Sequence, residues 1–433
     1  MRLPLLLTAG FALALPWAAH ADAPAASGTA AAAAPSASPS PTAKASPSAS
    51  PTPAVKARPS ATPTITSTLT PQPTPTLTAS PTATPDDDAN DDADNAADAE
   101  GPAATIAAGV SGTATGAYHL VKRVPLPGDK GWDYCLADGD ARRLYVTHGD
   151  QVLVLSLDNG KVLGKVGGLL GVHGVALATD LGRGYVSDGK AGVVACFDLQ
   201  SFAILASIPA KPGVDAIVYE PATQQVFAFS GDDRSCTIID APSNKVVATV
   251  DLDGQPEFAA VDNDTMVYVN LVDTDELVTL DAKIRAVVRR RPVAPGSKPC
   301  SLSYDADGNN LFIGCRNGQA VVMDAASGVT KAAFAIGDRV DASVYDPAQR
   351  LVFHSCGDGS VSILRKEADG GFSALPPLAT KKGSRTMALD PKTHQLYLPA
   401  ADFGAEPAPS EGQPHPRPAM APGSFSLLIF GRD

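Results

Sequence analysis

The sequence predicts an all-β protein: a seven-bladed β-propeller closed by an N-terminal strand and preceded by a signal peptide and a disordered linker. Three observations predict it. A strand centred on an aromatic recurs seven times, at Tyr145, Tyr185, Phe227, Tyr268, Phe312, Phe353 and Tyr397, with 40 to 44 residues between successive copies. Every copy is flanked by alternating apolar segments and turn residues, which makes four short antiparallel strands per repeat, the content of one propeller blade. The ends of the repeat region also complement each other. After Ser424 to Phe430 the last blade lacks a fourth strand, and Tyr118 to Leu126 is an orphan strand ahead of the first blade. Pairing the two closes the ring and removes its free edges.

The elements follow in chain order. Met1 and Arg2 precede an apolar run from Leu3 to Ala19 that ends at Ala19-His20-Ala21. This has the charged start, apolar middle and small-residue cleavage site of a signal peptide over 1–21, and it implies a periplasmic or secreted protein. Residues 22–117 read as a linker rich in Pro, Ser, Thr and Ala. From Asp22 to Gly116 there are 15 prolines and no Phe, Tyr or Trp, so the segment lacks the apolar surface needed to offset the entropy of ordering. Its acidic block, 86–100, has eight carboxylates but not the spaced ligands and glycine turn of a calcium loop. No later stretch has the length of a transmembrane helix.

Within 118–433, the alternating segment Asp215 to Tyr219 precedes Phe227, and a third strand follows each aromatic, as in Val152 to Leu155 or Val321 to Met323. Asp158, Asp198, Asp240, Asp281 and Asp324 recur where that third strand ends, which marks them as turn formers. The charge divides between the two parts. Residues 1–116 hold four basic and nine acidic residues, −5, leaving 30 basic against 37 acidic, −7, for the repeats. A ring of that sign carries no global footprint for nucleic acid. Single-stranded nucleic-acid binding stands third among the readings and requires a basic face around Lys122, Arg123, Lys381, Lys382 and Arg385.

The strand Leu144-Tyr145-Val146-Thr147, the strand Val267-Tyr268-Val269-Asn270 and the turn Asp240-Ala-Pro-Ser-Asn-Lys-Val246 resemble the YVTN repeat of bacterial propellers. The layout over 118–433 is similar to the YncE-like periplasmic proteins. The resemblance implies the fold and the compartment and leaves the ligand open. The Gly-His and Trp-Asp pairing of WD40 repeats is missing.

The first strand of each blade lines the channel. Eleven or twelve residues before each repeat aromatic, at the channel mouth, stand Asp133, His173, Asp215, Glu257, Cys300, Asp341 and Arg385, with Trp132 beside the first. Six ionisable side chains where a structural ring needs small or apolar ones point to a ligand site made of Trp132, Asp133, His173, Asp215, Glu257, Asp341 and Arg385. The plainer reading is a set of solvated or turn-capping polar groups. His148, His173 and His354 are candidate ligands for a divalent metal ion if the fold brings them together. The 403–423 insertion before the last strand, rich in Pro, Gly and Glu, is either a lid over the mouth or a tolerated surface loop. Of the six cysteines, Cys300 and Cys315 are expected to face each other as a disulfide across one blade, with Cys315 and Cys356 as the competing pair. Cys135 and Cys196 read as buried thiols.

No Cys-x-x-Cys-His, Gly-x-Ser-x-Gly or Walker A pattern occurs, which removes covalent haem, a serine-hydrolase elbow and a phosphate loop. The leading reading is an exported, monomeric binding or scaffolding module taking a small molecule or protein at the mouth. The alternative is a metal-assisted, lactonase-like hydrolase in which Asp133, Glu257 and Asp341 act with His173 to activate water.

Overall fold

The computed structural model describes residues 117–262, 264–405 and 418–433. The expected signal peptide, all but the last residue of the expected linker, and the centre of the 403–423 insertion lie outside the described residues. Among those described, no helix is long and apolar enough to cross a membrane.

Seven four-stranded antiparallel sheets form the structure, and within blades 1 to 6 each strand pairs with the next in sequence. Blade 1 runs Trp132–Asp138, Arg143–His148, Gln151–Ser156 and Val162–Val166. The inner strands of the next five blades are Val172–Ala178, Val214–Glu220, Pro256–Val261, Pro299–Asp305 and Val340–Asp346. Blade 7 has a short inner strand, Ala388–Leu389, and takes its outermost strand, His119–Pro125, from the N-terminal side. That strand pairs with Ser426–Gly431, Leu120 opposite Phe430 and Val124 opposite Leu427, as the sequence predicts. Each inner strand packs beside the next around the ring, and blade 7 meets blade 1.

The repeat aromatics are the wedges between blades. All seven are at most 3 % exposed, and each removes enough apolar surface from water to contribute about 2 to 3 kcal/mol. Tyr145 packs with Val172 and Val175 of blade 2, and Tyr185 with Ile217 and Val226 of blade 3. Tyrosine adds a directional tie: the Tyr185 hydroxyl donates to Ala241 O at 3.0 Å, and that of Tyr397 to Leu157 O at 2.9 Å, each a blade away. Asp198, Asp240, Asp281 and Asp324 accept turn amides, as expected, whereas the Asp158 carboxylate accepts from Arg142 Nε. Asp198 accepts from Ser201 N at 2.7 Å and Asp324 from Ser327 N at 2.8 Å.

Six inner strands begin with a register shift, between Trp132 and Cys135 in blade 1 and at the matching place in blades 2 to 6. A bulge adds one residue, bends the strand and re-aims a side chain. It also displaces amides from the ladder, and hydroxyls of the second strand take them up. Tyr134 N donates to Thr147 Oγ1 and Gly174 N to Ser187 Oγ, both at 2.7 Å.

The bulge in blade 5 corrects the expected disulfide. Cys315 pairs with Pro299 and Gly314 with Ser301, so Cys300 is the extra residue and does not oppose Cys315. Its thiol donates to Val340 O at 3.0 Å, while the Cys315 sulfur sits so close to Gly296 that a Cβ there would lie 2.4 Å away. All six cysteines are buried free thiols, Cys356 included.

Candidate functional site

The bulges aim the start of each inner strand at one mouth of the channel. There Asp133, Asp215, Glu257, Asp341 and Arg385 line a cavity of about 40 Å³ together with Tyr134, Phe258, Cys300, Arg316 and Thr386. His173 adjoins it, with Nδ1 2.9 Å from Asp133 Oδ2 and 3.9 Å from Asp215 Oδ1. Counting Arg316, each of the seven blades contributes one ionisable side chain to this mouth.

The ring has two halves. On blades 1 to 3, two carboxylates converge on one imidazole. Among the described residues Asp133, His173 and Asp215 form a set whose ligand atoms all lie within 4.8 Å of one another. On blades 4 to 7 the carboxylates face guanidinium groups. Arg316 Nη2 donates to Glu257 Oε1 at 3.2 Å, and Arg385 Nε lies 3.5 Å from Asp341 Oδ2, which also accepts from the Thr386 hydroxyl at 3.3 Å. Arg316 is 9 % exposed, and burial at this level strengthens its pairing with Glu257 by lowering the local dielectric.

Below the ring Tyr134 and Phe258 stack, and they form part of the cavity wall. Burial pushes the Tyr134 phenol well above its ordinary range, and the carboxylates of Asp215, Asp133, Glu257 and Asp341 push it further the same way. It therefore stays a neutral hydroxyl at every physiological pH.

Two expected members of the site lie elsewhere. Trp132 precedes the bulge and turns away from the channel, stacking on Phe425 at 5.2 Å and facing Phe403 at 6.2 Å. Trp132 is still paired with His148 ahead of the bulge, and only the residues after it, Asp133 and Tyr134, reach the cavity. Phe403 belongs to the base of the insertion, where it bridges to Met420; the segment 406–417 lies outside the described residues.

The expected convergence of His148 and His354 with His173 does not occur. His148 is 1 % exposed and stacks on Phe425 at 4.5 Å. His354 is fully buried, with Nδ1 2.6 Å from the Ser343 hydroxyl, which meets the Ser301 hydroxyl at 2.6 Å. Burial lowers the pKa of both rings, that of His354 to about 4. They are neutral core histidines.

The four residues of the hydrolase reading are divided by the two halves: Asp133 meets His173, whereas Glu257 and Asp341 face Arg316 and Arg385. Three of the five residues of the expected basic face, Arg123, Lys381 and Arg385, face carboxylates. Arg123 and Lys381 both face Asp402, at 3.7 Å for the first, Lys122 donates to Asn159 O at 2.9 Å, and Arg385 faces Asp341.

Sequence reasoning missed Arg316, which replaces Cys300 as the ionisable member from blade 5. A signal was present. Four residues after the repeat aromatic stand Gly149, Gly189, Gly231, Val272, Arg316, Gly357 and Ala401, so blade 5 alone carries a charged residue at a small or apolar position.

No protein-family model and no curated protein matches this chain. Solved structures share its fold. One is the Kuenenia stuttgartiensis hydrazine synthase, 16 % identical with a TM-score of 0.55 over 63 % of this chain and 93 % of that one. A chain of the mitotic checkpoint complex is 15 % identical, with a TM-score of 0.58 over 72 % and 91 %. The RRP9 WD40 repeats are 10 % identical, with a TM-score of 0.60 over 72 % and 97 %. At such identities the likeness shows the β-propeller fold alone.

Proposed function

We propose that this protein is an exported, monomeric binding module of the YVTN-repeat type, whose ligand seats at the acid-rich channel mouth. One observation carries the reading. Six blades line one small cavity with ionisable side chains and the remaining one, blade 2, sets His173 against Asp133 at its edge, although a ring closed by small or apolar residues would avoid the cost of desolvating them. The four carboxylates outnumber the two guanidiniums, so the site favours a cationic group. A volume of about 40 Å³ holds a few waters, an ion or the tip of an inserted side chain, at roughly 10 to 15 Å³ per water. It is well below the ~300 Å³ of sites that enclose a whole metabolite, which favours binding of a small group or a partner's side chain over turnover of a lactone. The rigid closed ring supports the same role, since loops held by a stiff scaffold are a common platform for recognition.

The test is a thermal-shift panel of inorganic cations, alkylamines and basic peptides on the full chain, comparing wild type with Asp215→Asn and Asp341→Asn. Compounds that stabilise wild type and lose that effect in either variant support the mouth as the site. Equal responses from all three chains overturn it. Export is tested by the mass of the protein recovered from the periplasm or medium, which starts at Asp22 if 1–21 is a cleaved signal.

A further inference from the structure

We propose that Asp133, His173 and Asp215 bind one first-row divalent transition-metal cation, with Zn²⁺ as the reference ion. The proposal rests on the mouth reading above and names the ligand of its acid-histidine half.

The donor atoms come from three successive blades, with His173 Nδ1 2.9 Å from Asp133 Oδ2 and 3.9 Å from Asp215 Oδ1. Zinc sits about 2.0 to 2.2 Å from nitrogen and carboxylate ligands, so two donors to one ion are at most ~4.4 Å apart. Both separations meet that limit, and the whole set lies within 4.8 Å, so a movement of at most about 0.4 Å brings the third pair within it. Two carboxylates balance a dication. The imidazole favours Zn²⁺ and its neighbours over Mg²⁺ and Ca²⁺, which prefer all-oxygen sites. The remaining coordination positions open toward the cavity, which has room for waters.

The donors are held in place before any ion arrives. Asp215 O accepts from the Ser187 hydroxyl at 2.5 Å, and Tyr134 N, next to Asp133, is fixed by Thr147. Gly189 lies against the far edge of the His173 ring: a Cβ there would stand 3.0 Å from its Cδ2 and Nε2 and 3.0 Å from Val214 O. Glycine thus lets the ring sit with Nδ1 toward the two carboxylates. Such support of a ligand histidine is a general feature of metal sites.

The experiment is calorimetric titration of ZnCl₂ into the full chain after chelator treatment and dialysis, with MgCl₂ and CaCl₂ as comparators and circular dichroism to verify folding of each variant. The expected result is one Zn²⁺ per chain, bound at least tenfold more weakly by His173→Ala and by Asp215→Asn. Gly189→Ala keeps all three ligands and is expected to weaken binding by crowding the ring, whereas Asp158→Asn, at an exposed turn outside the mouth, keeps affinity within about threefold. Absence of a saturable site, equal affinity in folded His173→Ala, or equally tight Mg²⁺ or Ca²⁺ binding overturns the proposal. A folded Gly189→Ala chain that binds as wild type overturns the orientation argument. If Zn²⁺ fails while the thermal-shift panel still separates wild type from Asp341→Asn, the metal assignment falls and the mouth reading stands.

Discussion

Tyr134 of blade 1 stacks on Phe258 of blade 4, ring centroids 5.2 Å apart and planes 14° from parallel. The two blades are not neighbours, so the stack bridges the channel and gives the mouth cavity its floor. Tyr134→Ala is expected to enlarge the cavity and cost about 2 to 3 kcal/mol, below the 3 to 5 typical of a fully buried aromatic because Tyr134 is half-buried. Tyr134→Phe keeps the stack and most of the stability. Urea denaturation of the three chains checks both statements.

Acid is expected to loosen the blade 5 to blade 6 junction through His354. Burial lowers its pKa from an ordinary 6.5 to about 4. A histidine held neutral in the fold contributes stability that is complete above 6.5 and lost as pH falls toward 4, because the unfolded chain takes up the proton first. The loss is on the order of 3 kcal/mol at the low end of that window. Urea midpoints at pH 7.5 and 4.5 should fall more in wild type than in His354→Asn, and parallel falls in the two chains would remove His354 as the cause.

The thiols should be silent in the native state. Burial pushes Cys315 and Cys356 up to about 12 and Cys300 well above its usual value, so almost no thiolate is present at pH 8. Iodoacetamide is expected to add nothing to the folded chain and six groups after denaturation without reductant. Four additions would reveal a disulfide and reinstate a cysteine pairing.

The closure of the ring also depends on charge. Arg142 of blade 1 reaches the fully buried Asp390 of blade 7 at 2.6 Å. Removing the guanidinium leaves a buried carboxylate with less compensation, and Arg142→Met is expected to cost about 3 kcal/mol. Asp158, more exposed at 62 %, also contacts Arg142, and Asp158→Asn should cost well under 1 kcal/mol. Chemical denaturation of the two variants distinguishes the buried pair from the exposed one.

The period of the aromatics and the complementary ends made the seven blades and their closure legible, because each blade repeats the same burial requirement. Asp133, His173, Asp215, Glu257, Asp341 and Arg385 were legible as mouth residues for the same reason. The bulges were not: they show in pairing register and not in residue type. They turn Trp132 away from the channel and separate Cys300 from Cys315. His148 and His354 looked equivalent by strand, yet they stand three and one residues beyond their repeat aromatics, and each is used inside a different inter-blade core.

The central claim is that the mouth of the ring is a ligand site centred on the acid-histidine half. Anomalous diffraction at the zinc edge, from crystals of the full chain grown with stoichiometric Zn²⁺, tests it most directly. The account predicts one strong peak about 2.1 Å from His173 Nδ1 and within coordination distance of the Asp133 and Asp215 carboxylates. An empty mouth, with zinc only at surface histidines such as His119, would contradict it.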